Sequence, residues 1–149
     1  MKNGRPHNKN FRMTRRLNTP HNLARRYQYK GVSVIERIRG LYKGRNKSSA
    51  YKDLVWTVAT SSDTSLDIEG QTRLALETIQ ENLVELGSDK TRIVTAQVFI
   101  TDMNSKSLMD RVWCEWFGIN IEHWPQRACL GVELEGDALI EITVTAVRA

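Results

Sequence analysis

LDIEGQTRLALETIQENLVELGSDKTRIVTAQVFIT, residues 66–101, changes its apolar period part-way through. Over its first part Ile68, Leu76, Ile79, Leu83 and Leu86 recur at roughly helical spacing, while Gln71, Arg73, Glu77, Gln80 and Glu81 fill much of the remainder as a polar face. Ser65 or Asp67 can cap the start, and Gly87 suits the C′ position, where a positive φ is needed. The stretch predicts a helix of about five to six turns. Gly70 weakens the first turns by ~1 kcal/mol relative to Ala and leaves room for another backbone. After "GSDK" the period becomes two: Val94, Ala96, Val98 and Ile100 share an apolar face, and Ile93, Thr95, Gln97 and Phe99 a mixed one. The apolar faces of helix and strand are expected to pack together, which places a helical layer on a sheet.

The flanking sequence extends this layer. Upstream, "VSVIERI" (32–38) alternates weakly and reads as a first strand, "YKGRNKSSAYKD" (42–53) as a polar turn, and "LVWTVAT" (54–60) as a β-branched, aromatic strand. Downstream, "SLMDRVWCEWFG" (107–118) is a second helix with Leu108, Met109, Val112, Trp113 and Trp116 as its apolar stripe. "INIEHWPQ" leads to "RACLGVELE" and "ALIEITVTAV", which flank Gly136-Asp137, a two-residue hairpin signal. In the last strand Ile140, Ile142, Val144 and Ala146 form the apolar face, and Leu139, Glu141, Thr143, Thr145 and Val147 the mixed one. The order ββαβαββ predicts an α+β fold with a single mixed sheet and two helices on one face. The other face, with Ile93, Phe99, Leu139 and Val147 among polar residues, is too apolar to be left in water. It is expected to be covered by self-association.

Charge is unevenly distributed. Residues 1–31 hold nine of the 22 Lys and Arg and no acid, so the other 118 residues hold 13 bases against all 17 acids, a balance of −4. The basic character therefore belongs to the extension, and a domain over 32–149 carries no obvious nucleic-acid face. Residues 1–31 are expected to have little fixed structure. Three readings of them stay open: a stretch foreign to the fold, a targeting peptide, or an arm that binds RNA or phosphate. No apolar run approaches the ~18 residues of a membrane span. Cys114 and Cys129 show neither metal-ligand spacing nor a disulfide framework. The default setting is a reducing cytoplasm, with organelle targeting by residues 1–31 left open. His7, His21 and His123 do not cluster, and no phosphate-binding glycine loop is present, so no metal or cofactor is expected.

Two charges stand out in "PQRACLGVELEGDALIEITVTAV" (125–147). Arg127 leads into an apolar run and Glu141 interrupts the last strand. The plain readings are a salt bridge at a strand start and a solvent-facing carboxylate. The chemical readings are a guanidinium fork for a carboxylate and a carboxylate that holds water. A regular hairpin would pair Arg127 with Ala146 and Glu141 with Val132, ~17 Å apart.

The segments "LDIEGQTRLALETIQENLVELGSDKTRIVTAQVFITDM", "VWCEWFG", "WPQRACLGVEL" and "LIEITVTAV" resemble the Rid, or YjgF-like, family of enamine/imine deaminases over roughly residues 34–148. The resemblance implies a chorismate-mutase-like fold and a homotrimer with active sites between subunits. It implies cofactor-free hydrolysis of 2-aminoacrylate and 2-imino acids, as in 2-iminobutanoate/2-iminopropanoate deaminases, to 2-oxo acids and ammonia. On this basis Arg127 would hold the substrate carboxylate, Glu141 would orient the attacking water, and the backbone of Cys129 would contact substrate or water. The chain departs from the family pattern at Val58, where a Ser often lines the pocket, and at Ala59, which replaces a Gly. Asp110 stands at a position often Asn, where an anion would oppose a charged substrate. Ser48 matches a loop contact. These departures keep two alternatives open: a non-catalytic trimer that binds a small carboxylate or a protein partner, and an RNA-directed translation inhibitor acting through the basic extension.

Overall fold

The computed structural model describes residues 34–149. The expectations for residues 1–31, and the first two residues of the proposed first strand, lie outside this range. The described chain forms β1 (Glu36–Arg39), β2 (Asn46–Tyr51), β3 (Leu54–Thr60), α1 (Ile68–Glu85), β4 (Ile93–Ile100), α2 (Lys106–Phe117), β5 (Gln126–Gly131) and β6 (Ile140–Val147). The strands make one six-stranded sheet in the order β1-β2-β3-β6-β4-β5. The α+β architecture and the mixed sheet are as expected.

α1 forms where the apolar period demands it. The Asp67 side chain accepts a hydrogen bond from Gly70 N, and the helix closes through Ser88 N donating to Leu83 O, with Gly87 at φ 77°. Ile68, Leu76, Ile79, Leu83 and Leu86 are all buried. Full burial of a side chain such as Ile79 or Leu83 contributes about 1.5–3 kcal/mol. The nearest neighbours of a Cβ at Gly70 would be side chains, not backbone: it would lie 2.9 Å from the Leu66 Cβ, so the glycine accommodates that side chain. In α2 Met109, Val112, Trp113 and Phe117 are buried, whereas Leu108, placed in the stripe by periodicity, is exposed.

Three sequence readings are corrected. First, "YKGRNKSSAYKD" contains β2, paired antiparallel with β1 and β3. Its helix-side residues are Ser48 and Ala50, both buried, and small polar side chains concealed the strand. Second, a register shift between Ile93 and Thr95 moves Ile93 to the helix side, opposite Ala146, and leaves Val94 exposed. One extra residue inverts side-chain parity, so the period-two reading of Ile93 and Val94 fails at the start of β4. Third, β5 and β6 do not form a hairpin. β5 pairs parallel with β4, Arg127 opposite Ala96, while β6 lies between β3 and β4, antiparallel to both. A strand, a 12-residue helix and a strand make a crossover unit, which returns β5 parallel to β4. The turn at Gly136, φ 61°, then carries the chain across β4 to its other side.

Both helices lie on one face. Ala96, Val98, Ile100, Ile140, Ile142, Val144 and Ala146 point toward them and are buried. Along the opposite face Leu54, Trp56 and Leu130 are exposed, with Phe99, Thr143 and Val147 half-buried. Among the described residues no helix is long and apolar enough to cross a membrane.

Candidate active site

Arg127 lies on β5, an edge strand, and its parity turns it to the helix side above α2. There its Nη2 donates to Asp110 Oδ1 at 2.6 Å, and its guanidinium carbon lies 4.9 Å from the centroid of the Trp113 ring. Lys106, one turn before Asp110 on α2, donates from Nζ to Asp110 Oδ2, also at 2.6 Å. The three charges sum to +1, so Lys106 offsets the anion that the sequence suggested would repel a carboxylate. The Arg127 side chain is 19% exposed and Asp110 31%. The Asp110 bond occupies one of five guanidinium N–H donors, and Nη1 also lies 3.9 Å from Met109 Sδ. Cation–π contact and ion pair together fix the fork in one orientation at the sheet edge.

Partial burial pushes the Asp110 carboxyl up, but hydrogen bonds and charge from Lys106 and Arg127 outweigh it and hold its pKa below the ordinary carboxylate value. Cys129, two residues beyond Arg127 on the same side of β5, is half-buried. Burial, aided by Asp110, raises its thiol pKa against the opposing influence of Arg127 and Lys106. A raised pKa keeps the thiol protonated, the wrong state for a nucleophile.

Glu141 projects from β6 to the open face, opposite Phe99 on β4 and Thr60 on β3. Arg127 is in register with Ala96, three residues from Phe99, and β4 separates the two strands. Their Cα positions are therefore about 14 Å apart, at ~4.8 Å per strand and ~3.3 Å per residue. Their side chains leave opposite faces of the sheet. Val58 lines an open-face hollow of about 470 Å³ with Ser49, Trp56, Gln97 and Thr143. Ala59 turns the other way and is buried under the helices.

Ser48 is also buried on the helix side. Its Oγ donates to Thr57 Oγ1 at 2.9 Å; Asn82 Nδ2 donates to the same oxygen at 2.9 Å, and that hydroxyl donates to Lys47 O at 3.0 Å. The structure thus brings together Arg127, Asp110 and Cys129, and leaves Glu141 and Val58 on the other face and Ser48 and Ala59 in the core.

Sequence reasoning missed Lys106, although its i,i+4 spacing to Asp110 is a readable ion-pair signal. It also missed Gln71, assigned to the polar face but fully buried. Gln71 and Asn82 fall three residues after Ile68 and Ile79, on the register of the apolar stripe. Among the described residues no group of three or more His, Cys, Asp or Glu is arranged to hold a metal ion.

A sequence model for the family described as endoribonuclease L-PSP matches residues 56–148. The chain belongs to that family, the Rid or YjgF-like family. A protein of Escherichia coli whose name reads "Putative reactive intermediate deaminase TdcF" is 33% identical over 84 residues, which is 56% of this chain and 65% of that protein, just under two thirds of its length. A RutC family protein of Haemophilus ducreyi is 34% identical over 86 residues, 57% of this chain and 72% of its own. A crystal structure of Escherichia coli TdcF with bound serine has a TM-score of 0.66 at 28% identity, covering 78% of this chain and 98% of that one. An uncharacterized protein from Pseudomonas aeruginosa gives 0.71 at 28% identity, covering 78% of this chain and 100% of that one. The fold is the chorismate-mutase-like α+β sheet of this Rid family.

Proposed function

We propose that this Rid-family chain hydrolyses reactive enamines and 2-imino acids to 2-oxo acids and ammonia, at a site built between copies of the chain in a homotrimer. The observation that carries this is Arg127, held at a sheet edge by Asp110 and Trp113 with Lys106 keeping the cluster net positive. Kinship with proteins named reactive intermediate deaminases supports the same reading. Arg127 takes the substrate carboxylate, the Cys129 backbone lies alongside, and Glu141, supplied from the open face, holds the water.

An enamine first takes a proton on carbon to become the imine. The water oxygen then adds to the imine carbon as one water proton passes to Glu141, which hands it to the nitrogen to give a carbinolamine. Collapse of the carbinolamine forms the C=O bond and breaks the C–N bond as the remaining O–H proton passes to the nitrogen, which leaves as ammonia. The carbon is already electrophilic, so positioning one water is a modest demand. The ion pair between Asp110 and Arg127 favours a second reading, in which the cluster binds a small carboxylate without turnover.

One experiment separates these readings. Imine generated by an amino-acid oxidase or a Ser/Thr dehydratase is followed with wild type, Arg127→Ala, Glu141→Gln and a mixture of the two variants. Loss of the fork is expected to cost roughly 2–4 kcal/mol in kcat/KM. Since a site between copies needs Arg127 from one and Glu141 from the next, random mixed trimers regain about a quarter of wild-type turnover. No acceleration by wild type, with ligand-dependent thermal stabilisation, would favour the binding reading. Full activity in Arg127→Ala would sink both.

A further inference from the structure

Gln71 is completely buried on the second turn of α1. Its Oε1 accepts from Leu139 N at 2.9 Å, and its Nε2 faces three carbonyls: Thr64 O at 3.1 Å, Leu66 O at 3.0 Å and Asp137 O at 3.2 Å. One amide thus ties together the loop before α1, the helix itself, and the segment that enters β6. That segment has little else to hold it. Glu133, Glu135, Gly136 and Asp137 are exposed, and the chain runs irregularly from the end of β5 to Ile140. Leu139 is pinned on its other side, where its carbonyl accepts from Thr101 N at 3.1 Å. Two residues later comes Glu141.

We propose that Gln71 is a positioning residue for Glu141: the buried face of β6 holds the register, and the amide fixes the conformation of 137–139 that enters the strand, and so the angle at which the Glu141 carboxylate leaves the sheet. This rests on the proposed hydrolysis for its catalytic consequence, but not for the clamp itself. A buried amide needs every bond satisfied to offset its desolvation, and an apolar side chain would fill the same volume with less demand. What the amide adds is directional: it specifies one conformation of 137–139. Gln71 touches no reacting atom, and Arg127, on another strand and the other face, is unaffected by it. Loss of the clamp therefore acts on the water-positioning group and spares carboxylate binding.

Gln71→Met keeps the volume and removes all four bonds. Turnover and amide hydrogen exchange are measured on wild type, Gln71→Met and Ile79→Val, a core variant of α1 that lowers stability while leaving every hydrogen bond of the Gln71 amide in place. Expected for Gln71→Met is a fall in kcat of roughly 10- to 100-fold with KM changed less than about 3-fold, as a displacement near 1 Å at a catalytic group would give. The Leu139–Glu141 amides should exchange faster while those of central α1 stay protected. Gln71→Glu keeps the acceptor for Leu139 N and should retain more kcat than Gln71→Met. An unchanged kcat, an equal loss in Ile79→Val, or a rise in KM alone overturns the proposal. Absence of turnover in wild type would remove the proposed function; the clamp then stands or falls on whether Gln71→Met unprotects 139–141.

Discussion

Asp110→Asn should make the protein less stable and the proposed carboxylate site at Arg127 tighter, and the opposite signs make it a demanding test. The carboxylate receives 2.6 Å hydrogen bonds from both Arg127 and Lys106. All three side chains are partly exposed, at 19%, 31% and 37%, so the pairs are worth little each. Their combined loss is about 1 kcal/mol, or a Tm lower by about 3–5 °C for a domain of this size. The pH dependence has a definite sign. Asp110 has a depressed pKa in the folded state, so the unfolded chain binds more protons at this site. Its contribution is complete above about pH 4 and is lost as pH falls through the folded value. The stability gap between wild type and Asp110→Asn should close as pH drops below about 4. Binding moves the other way. A substrate carboxylate on the free side of Arg127 would sit roughly 6 Å from Asp110, where like charges repel by about 0.7 kcal/mol in water and more in a partly buried site. Taking ~1 kcal/mol, neutralisation should lower KM about 5-fold at low ionic strength, and less at high salt. Thermal unfolding across pH and imine hydrolysis at two salt concentrations read both effects. A KM that is unchanged or higher in Asp110→Asn refutes Arg127 as the carboxylate's partner, and a stability gap that does not narrow at all as pH falls below about 4 refutes the ion-pair account.

The remaining predictions concern the thiol and the buried hydroxyl. Cys129→Ala should keep kcat within about 3-fold of wild type, since a thiol with a raised pKa is a poor nucleophile, and iodoacetamide near pH 7 should label exposed Cys114 before Cys129; abolished turnover would overturn this. Thr57→Val should cost about 2–4 kcal/mol in urea unfolding because it strands the Ser48 hydroxyl and the Asn82 amide. Adding Asn82→Leu should recover part of that loss, and a single-variant cost below ~1 kcal/mol would show that the network is not holding the β2–β3–α1 junction.

How much was legible in the sequence divides along physical lines. α1, α2, β3, β4 and β6 were readable because each buries a face whose period is fixed by its own backbone. β2 was not, because "NKSSAY" owes its place to backbone pairing on both sides and to a Thr57–Ser48 hydrogen bond, neither of which leaves an apolar pattern. The bulge at Val94 was not, because period-two counting assumes an unbroken ladder. The Gly136-Asp137 turn was correctly placed but wrongly used: a tight turn reverses the chain without stating which strand it reverses onto. Within the candidate site, Arg127, Asp110 and Cys129 were legible as types of residue in a family-like motif. Their grouping with Lys106 and Trp113 depends on how β5 packs against α2, and the buried role of Gln71 depends on carbonyls up to 66 residues distant.

The parity of β5 and β6 has the larger consequence for chemistry. Arg127 and Glu141 leave opposite faces, and no small adjustment inside one chain brings them together. Sliding β6 by one residue would turn Glu141 toward the helices, but it would also turn Ile140, Ile142, Val144 and Ala146 outward. Exposing Ile140, Ile142 and Val144 alone would cost about 1.5–3 kcal/mol each, a substantial part of a typical folding stability. The register is therefore locked by the core, and the separation of the two charges is locked with it. Hydrolysis by this pair requires that a second copy carry its own Glu141 from an open face to the edge where Arg127 is displayed. The exposed Leu54 and Trp56, together with half-buried Phe99 and Val147, give that open face the partly apolar character such a contact needs.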